Sequence, residues 1–226
     1  MDLDFSTLSF SAILNREILP DCPSRAWVSD LEAVVNAAGV KRFPLLGVSQ
    51  GCAVSIVYAV RHPERVSHLI LYGGYAAGLG RRSQRAQEQL AAVATLVRRG
   101  WGADNPAFRQ IFTSLFLPGG TKEQVDWFNE MERRSASPEC AYRYLRVCGE
   151  IDVRPLLADV AVPTLVMHVR DDAIVPMKAG REMAAGIPGA RFVALEGRNH
   201  LFLEQESAAK RFFEEIELFL GEHQAE

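Results

Sequence analysis

Several things are scarce in this chain of 226 residues, and each scarcity removes a class of function. No apolar run approaches the ~18 residues that a membrane-spanning helix needs. The start, Met1-Asp2-Leu3-Asp4, lacks the positive charge that opens a secretory leader. Together these predict a cytoplasmic protein with no membrane partner. Cys22, Cys52, Cys140 and Cys148 form no Cys-x-x-Cys pair, so spacing suggests neither a zinc site nor a redox couple, and reduced thiols used in packing are expected. There is no basic run and the net charge is −3, which argues against nucleic acid as the main partner. No internal repeat or low-complexity segment is present. With 48% hydrophobic residues, one domain spanning 1–226 with a substantial core is the expectation.

Against that background Gly47-Val48-Ser49-Gln50-Gly51 stands out. The apolar run Phe43-Pro44-Leu45-Leu46 before it reads as a buried strand, and Cys52 to Val60 after it reads as a helix that stops at His62-Pro63. Gly-x-Ser-x-Gly between strand and helix is a nucleophile elbow, a sharp turn that pushes a serine hydroxyl out at the top of a sheet. The serine is expected to be strained, and side chains at the glycine positions to collide with the neighbouring strand and helix.

An elbow of this kind predicts an acid and then a histidine further along the chain. Thr164-Leu165-Val166-Met167-His168-Val169 reads as a second buried strand and runs into Asp171-Asp172. Ala190 to Leu195 reads as another strand and leads through Glu196-Gly197-Arg198-Asn199 to His200. Carboxylate and imidazole each lie just past a strand, where α/β sheets gather functional groups. The remaining histidines suggest no site. His62 ends a helix, His68 and His168 abut or occupy strands without metal-ligand spacing, and His223 lies in the tail.

With these residues in place the chain resembles the α/β-hydrolase superfamily, and more narrowly bacterial hydrolase modules related to those fused to cyclases or helix-turn-helix regulators. The resemblance rests on Gly47–Gly51, His62-Pro63-Glu64-Arg65-Val66 with the strand Leu69–Gly73, Asp172-Ala173-Ile174-Val175-Pro176 and Gly197–His200, over roughly residues 25 to 220. It implies an α/β fold with a mostly parallel sheet and an inserted helical cap. It also implies Ser49 as nucleophile, His200 as base and Asp172 as acid, Asp172 being favoured over Asp171 by the family's acid-x-x-x-Pro spacing. The backbone N–H of Gln50 is the implied oxyanion donor, and neither metal nor cofactor is called for.

The resemblance lacks its N-terminal part. Residues 1–46 contain one glycine, Gly39, and no histidine, whereas the family draws its second oxyanion donor from an early loop marked by His-Gly or a run of glycines. The sheet is therefore expected to be shortened on that side, leaving the Phe43–Val48 strand as an edge. Residues 5–13, or a second subunit in a homodimer, are expected to cover it.

Elsewhere the periodicity predicts a helix over residues 25–38, a cap over about 78–150 broken at Gly100–Pro106 and Pro118-Gly119-Gly120, and a last helix from Glu204 to Leu220. Trp101, Phe108, Phe112, Phe116, Leu117 and Trp127 are available to line an acyl pocket or to form the cap's own core. Tyr75, just past a strand end, is a candidate substrate contact. The expected activity is a serine hydrolase, a carboxylesterase acting on small acyl esters, with a non-catalytic ligand-binding or regulatory module as the alternative.

Overall fold

The computed structural model describes residues 23–203 and 205–222. Helix α1 (Pro23–Ala37) leads into strand β1 (Phe43–Val48), and Gly39 between them takes a positive φ of 66°, which glycine adopts without steric cost. Then follow α2 (Gly51–Arg61) and β2 (Val66–Tyr72). Four helices stand between β2 and β3: α3 (Gln84–Gly100), α4 (Ala107–Phe116), α5 (Lys122–Ser135) and α6 (Pro138–Gly149). The chain ends through β3 (Thr164–Val169), α7 (Met177–Gly186), β4 (Arg191–Leu195) and α8 (Ser207–Glu222).

The four strands form one parallel sheet in the order β1-β2-β3-β4. Its faces are covered by different helices, so the central strands read as continuous apolar runs rather than alternating ones. The period of two still decides which side each residue serves. Leu69, Leu71 and Val166 pack with α1, α2 and α7, whereas Ile70, Tyr72, Leu165, Met167 and Val169 pack with Phe212 and Phe219 of α8. Register then fixes the functional end of the sheet. Val48 lies opposite Tyr72, Tyr72 opposite Met167, and Val169 opposite Leu195. The segments that follow the four strands therefore emerge together.

Among the described residues β1 is an outer strand, as the shortened sheet predicts, and Val34, Val40 and Val48 are exposed on its side. The segment 5–13 expected to cover that edge lies outside the described residues. Between β2 and β3 the helices break at the expected glycines and prolines and once more at Ala136-Ser137. There Ser137 caps α6 by accepting from the Cys140 N–H, and Pro138 occupies its first turn. Thr121 and Gln124 close a capping box on α5. A small apolar cluster of Val97, Phe112 and Ala141 with Trp101 holds the cap together.

Candidate active site

The turn after β1 is strained at Ser49. Ser49 has φ 54°, and no other described non-glycine residue takes a positive φ. This left-handed conformation costs a side-chain-bearing residue roughly 1 kcal/mol or more, and it persists only where the surroundings enforce it. Here they do. Ser49 N–H donates to Tyr72 O at 2.8 Å, Ser49 O accepts from Cys52 N–H at 3.1 Å, and α2 starts at once. A Cβ on Gly47 would lie 2.7 Å from Ser55 Oγ and 2.8 Å from Cys52 Cα, so the close approach expected of that glycine is real. Gly51 differs from the expectation, because a Cβ there would meet open space. Its neighbours have already turned away along the first turn of α2.

Beneath the elbow the Cys52 thiol donates to Gly47 O and Tyr72 O. Burial pushes it up to about 12, so it is an inert packing group. Gln50 stands at the N-cap of α2 with helical dihedrals, which places its backbone N–H among the donors that a helix start leaves unused. Its side-chain Oε1 is buried without a partner.

His200 and Asp172 meet at the same end of the sheet. His200 Nδ1 lies 2.6 Å from Asp172 Oδ2, and both side chains are fully buried. Asp172 Oδ1 accepts from the N–H groups of Ile174 and Val175, each at 2.9 Å, so the carboxylate is held on both oxygens. Asp171 is exposed and uses its N–H to bond Gly197 O. Of the two candidate acids, then, the structure brings Asp172 to the histidine and leaves Asp171 in solvent.

His200 is fixed from several sides. Its N–H donates to Phe116 O at 2.9 Å, its carbonyl accepts from Tyr72 Oη at 2.8 Å, and the Phe116 ring meets its imidazole edge-on at 5.4 Å. Burial first, then Asp172 and Glu206, raise the Tyr72 phenol far above its usual range, so it keeps the proton that it donates to His200 O. Asn199 accepts from Gly119 N–H at 2.7 Å and donates to Glu206 Oε1 at 2.9 Å. Cap and histidine loop are thereby joined at two consecutive residues, whereas Arg198 is exposed.

The ring lies against Gly73, where a Cβ would come within 3.0 Å of His200 Cε1, and a Cβ on Gly74 would be 3.1 Å from Ser49 O. Ser49 and His200 thus flank one Gly-Gly step after β2. His200 Nε2 is buried and has no hydrogen-bond partner. The arrangement is an imidazole held at Nδ1 with Nε2 unpaired, at the same end of the sheet as a strained serine.

Other candidates fall elsewhere. The Tyr75 hydroxyl turns to Cys148 O of α6 at 3.5 Å, and the Arg82 guanidinium stands 5.9 Å from its ring. Of the cap residues considered for a pocket, Phe116 reaches the histidine. Trp101 and Phe112 pack inside the cap, and Leu117 is buried with Phe128 and Leu203. Phe108 and Trp127 stand 40% and 66% exposed and belong to neither core nor site. His168 lies against Asp172, a neighbourhood that no spacing in the sequence signalled. Among the described residues no group of three or more metal-ligating side chains is gathered, and no helix is long and apolar enough to cross a membrane. An open groove lined by Val162, Pro163, Thr164, Gly189 and Arg191 sits at the N-terminal ends of β3 and β4, away from Ser49 and His200.

Comparison with known proteins agrees with the fold. The family model described as alpha/beta hydrolase fold matches residues 20–207. Over 221 residues the chain is 28% identical to a 2-hydroxymuconate semialdehyde hydrolase of Pseudomonas putida, covering 88% of this chain and 69% of that protein. It is 27% identical to a 2-hydroxy-6-oxononadienedioate/2-hydroxy-6-oxononatrienedioate hydrolase of a Pseudomonas species, over 73% of this chain and 59% of that one. In structure it is similar to an esterase from Exiguobacterium antarcticum, with a TM-score of 0.74 at 22% identity, over 88% of this chain and 74% of that chain.

Proposed function

The chain belongs to the alpha/beta hydrolase fold family, and from that premise we propose that it is a serine hydrolase cleaving carboxylic esters of small acyl groups through Ser49, His200 and Asp172. One observation carries the reading: His200 is bonded to Asp172 at 2.6 Å through Nδ1 and has nothing on Nε2. His168 is also buried with one unpaired nitrogen, so the open nitrogen of His200 counts because its ring lies against Gly73, next to the Gly74 that packs on Ser49 O. A catalytic base leaves one free for the serine proton.

In the proposed reaction Ser49 Oγ attacks the ester carbonyl while its proton passes to His200 Nε2. The tetrahedral oxyanion is met by the Gln50 N–H, a donor of a type worth about 3 to 4 kcal/mol of barrier. Collapse breaks the carbon–oxygen bond to the alcohol, which leaves with the proton from Nε2. Water then attacks the acyl-serine, gives its proton to Nε2 and releases the acid as that proton returns to Ser49. Asp172 fixes the imidazole tautomer and stabilises its cationic form throughout. Relatives named as semialdehyde and dienedioate hydrolases and a structural neighbour named as an esterase support hydrolysis more broadly than they support any one ester. The substrate class is a small molecule.

The test is intact mass after treatment with a fluorophosphonate, on wild type and Ser49→Ala, beside turnover of p-nitrophenyl acetate and butyrate. A single adduct and turnover, both absent from Ser49→Ala, are expected. A folded, monodisperse wild type that gives no adduct would overturn the reading in favour of a non-catalytic ligand-binding module.

A further inference from the structure

His168 occupies the penultimate position of β3, on the face that packs against α7, and its side chain is fully buried. Its Nε2 lies 2.7 Å from Val175 O, and its Nδ1 is buried without a partner. Only an N–H can bond a carbonyl, so Nε2 carries a proton. Burial, the largest influence on the ring, lowers its basicity and keeps it neutral. The same Nε2 is 3.6 Å from Asp172 Oδ2, the oxygen that faces His200 Nδ1.

The turn 172–175 is held at both ends by this arrangement. At one end Asp172 Oδ1 accepts from the N–H groups of Ile174 and Val175. At the other the Val175 carbonyl is tied to His168. Without that tie the turn is held at Val175 only through its N–H, so the backbone there could shift and the carboxylate would be freer to turn on its own χ angles. Space on the far side of the ring is set by Gly180 of α7, where a Cβ would come within 2.5 Å of His168 Nδ1. The ring cannot retreat from the turn without entering that helix.

We infer that His168 is a positioning residue for the acid: it clamps the turn 172–175 so that Asp172 Oδ2 is presented to His200. It touches no substrate in this reading and acts through Asp172. The inference rests on the hydrolase reading for its catalytic consequence, while the clamp itself can be observed without turnover. Groups facing the clamp are Asp172 and His200, with Tyr72 of β2 and Glu206 ahead of α8 next beyond them, and α7 contributes Gly180.

Imidazole nitrogen–proton NMR spectra of the full chain, labelled in its five histidines, report the His200 Nδ1–H as a far-downfield resonance, assigned by its loss in Asp172→Asn. In His168→Leu this resonance is expected to move upfield or vanish. In the same variant kcat on p-nitrophenyl acetate is expected to fall about 10- to 100-fold with KM unchanged, the cost of a small misplacement of a catalytic group. His168→Gln, whose amide nitrogen can stand where Nε2 stands, is expected to restore both. Gly180→Ala pushes the ring from its other side and is expected to perturb the resonance in a protein that keeps its helix, since alanine favours helix over glycine. A resonance and kcat at wild-type values in folded His168→Leu would sink the inference. Should that variant fail to fold, an unmoved resonance in Gly180→Ala decides against it in the same way. Expected spectral changes in a protein that gives no fluorophosphonate adduct would leave the clamp standing and remove the hydrolase reading alone.

Discussion

Two buried carboxylates, one at the sheet's end and one inside the cap, live in opposite surroundings. Asp172 is ringed by N–H groups: two from its own turn, one from His200 at 2.6 Å and the edge of His168 at 3.6 Å. The first three donate to its two oxygens, whereas the His168 N–H goes to Val175 O. Glu132 of α5 has no such ring. Its Oε2 meets the hydroxyl of Thr113 at 3.1 Å, while that hydroxyl also faces Asn129 Oδ1 at 2.8 Å. A hydroxyl has one proton to give. The Asn129 oxygen turned to Thr113 competes with Glu132 for that proton, and Asn129 Nδ2 is buried without a partner. Burial pushes the Glu132 pKa up to about 7, and the Thr113 bond and the charge of Arg109 offset this only in part. Arg109, also buried, spends its guanidinium on the carbonyls of Trp101 and Ala103. The sheet end thus holds its carboxylate in one orientation through N–H donors on both oxygens, whereas the cap buries a carboxyl that has one hydroxyl partner and a raised pKa.

The most forceful way to break this comparison is to neutralise each carboxylate in turn. Asp172→Asn is expected to lower kcat by about 10³- to 10⁴-fold with the fold intact, since an amide presents the wrong partner to His200 Nδ1. Glu132→Gln is expected to leave kcat within about twofold. Steady-state kinetics on a p-nitrophenyl ester checks both, and equal losses would erase the distinction.

Stability against pH sharpens it further. The folded state holds the Glu132 proton more tightly than the unfolded chain, whose glutamate titrates near 4.5. Its contribution to stability is therefore full below about pH 4.5, falls as pH rises, and is lost above about pH 7. Glu132→Gln is expected to flatten that fall and to stabilise the protein at pH 8 by on the order of 2 kcal/mol. Urea unfolding of wild type and variant at pH 5 and pH 8 measures it. A variant less stable than wild type at pH 8 would mean that the cap holds this carboxylate ionised.

The smallest expected effect concerns the seam between the two regions. Asn199→Ala removes the bonds to Gly119 and Glu206 and is expected to cost about 1 to 2 kcal/mol. Because the next residue is the base, kcat should fall more than the binding of a non-reacting ester analogue. Loss of stability with no change in kcat would show that the cap closes without setting His200.

The site was legible in the sequence to the extent that it follows local rules. Ser49 between two glycines, and Asp172 and His200 just past apolar runs, could be read because each is announced by the strand before it. Helix α7 was passed over: Met177-Lys178-Ala179-Gly180-Arg181-Glu182-Met183-Ala184-Ala185-Gly186 carries two glycines, and its helical state depends on packing Ala179 and Met183 against the sheet. The cap break at Ser137-Pro138 had a signal, a capping serine before a proline, that the surrounding helical composition masked. His168 and Glu132 were not legible at all, because what matters in each is a neighbour from another element.

By itself, then, the order of residues determined the strands, the elbow and the identity of the three candidate catalytic groups, since backbone strain and hydrophobic run length act over a few neighbours. Only the tertiary structure decided which nitrogen of His200 is left open, which cap aromatics reach the site and which buried carboxyl has its pKa raised by burial. Those outcomes are set by register between β3 and β4, by the seam between Phe116 and the histidine loop, and by the absence of water around groups brought together from distant parts of the chain.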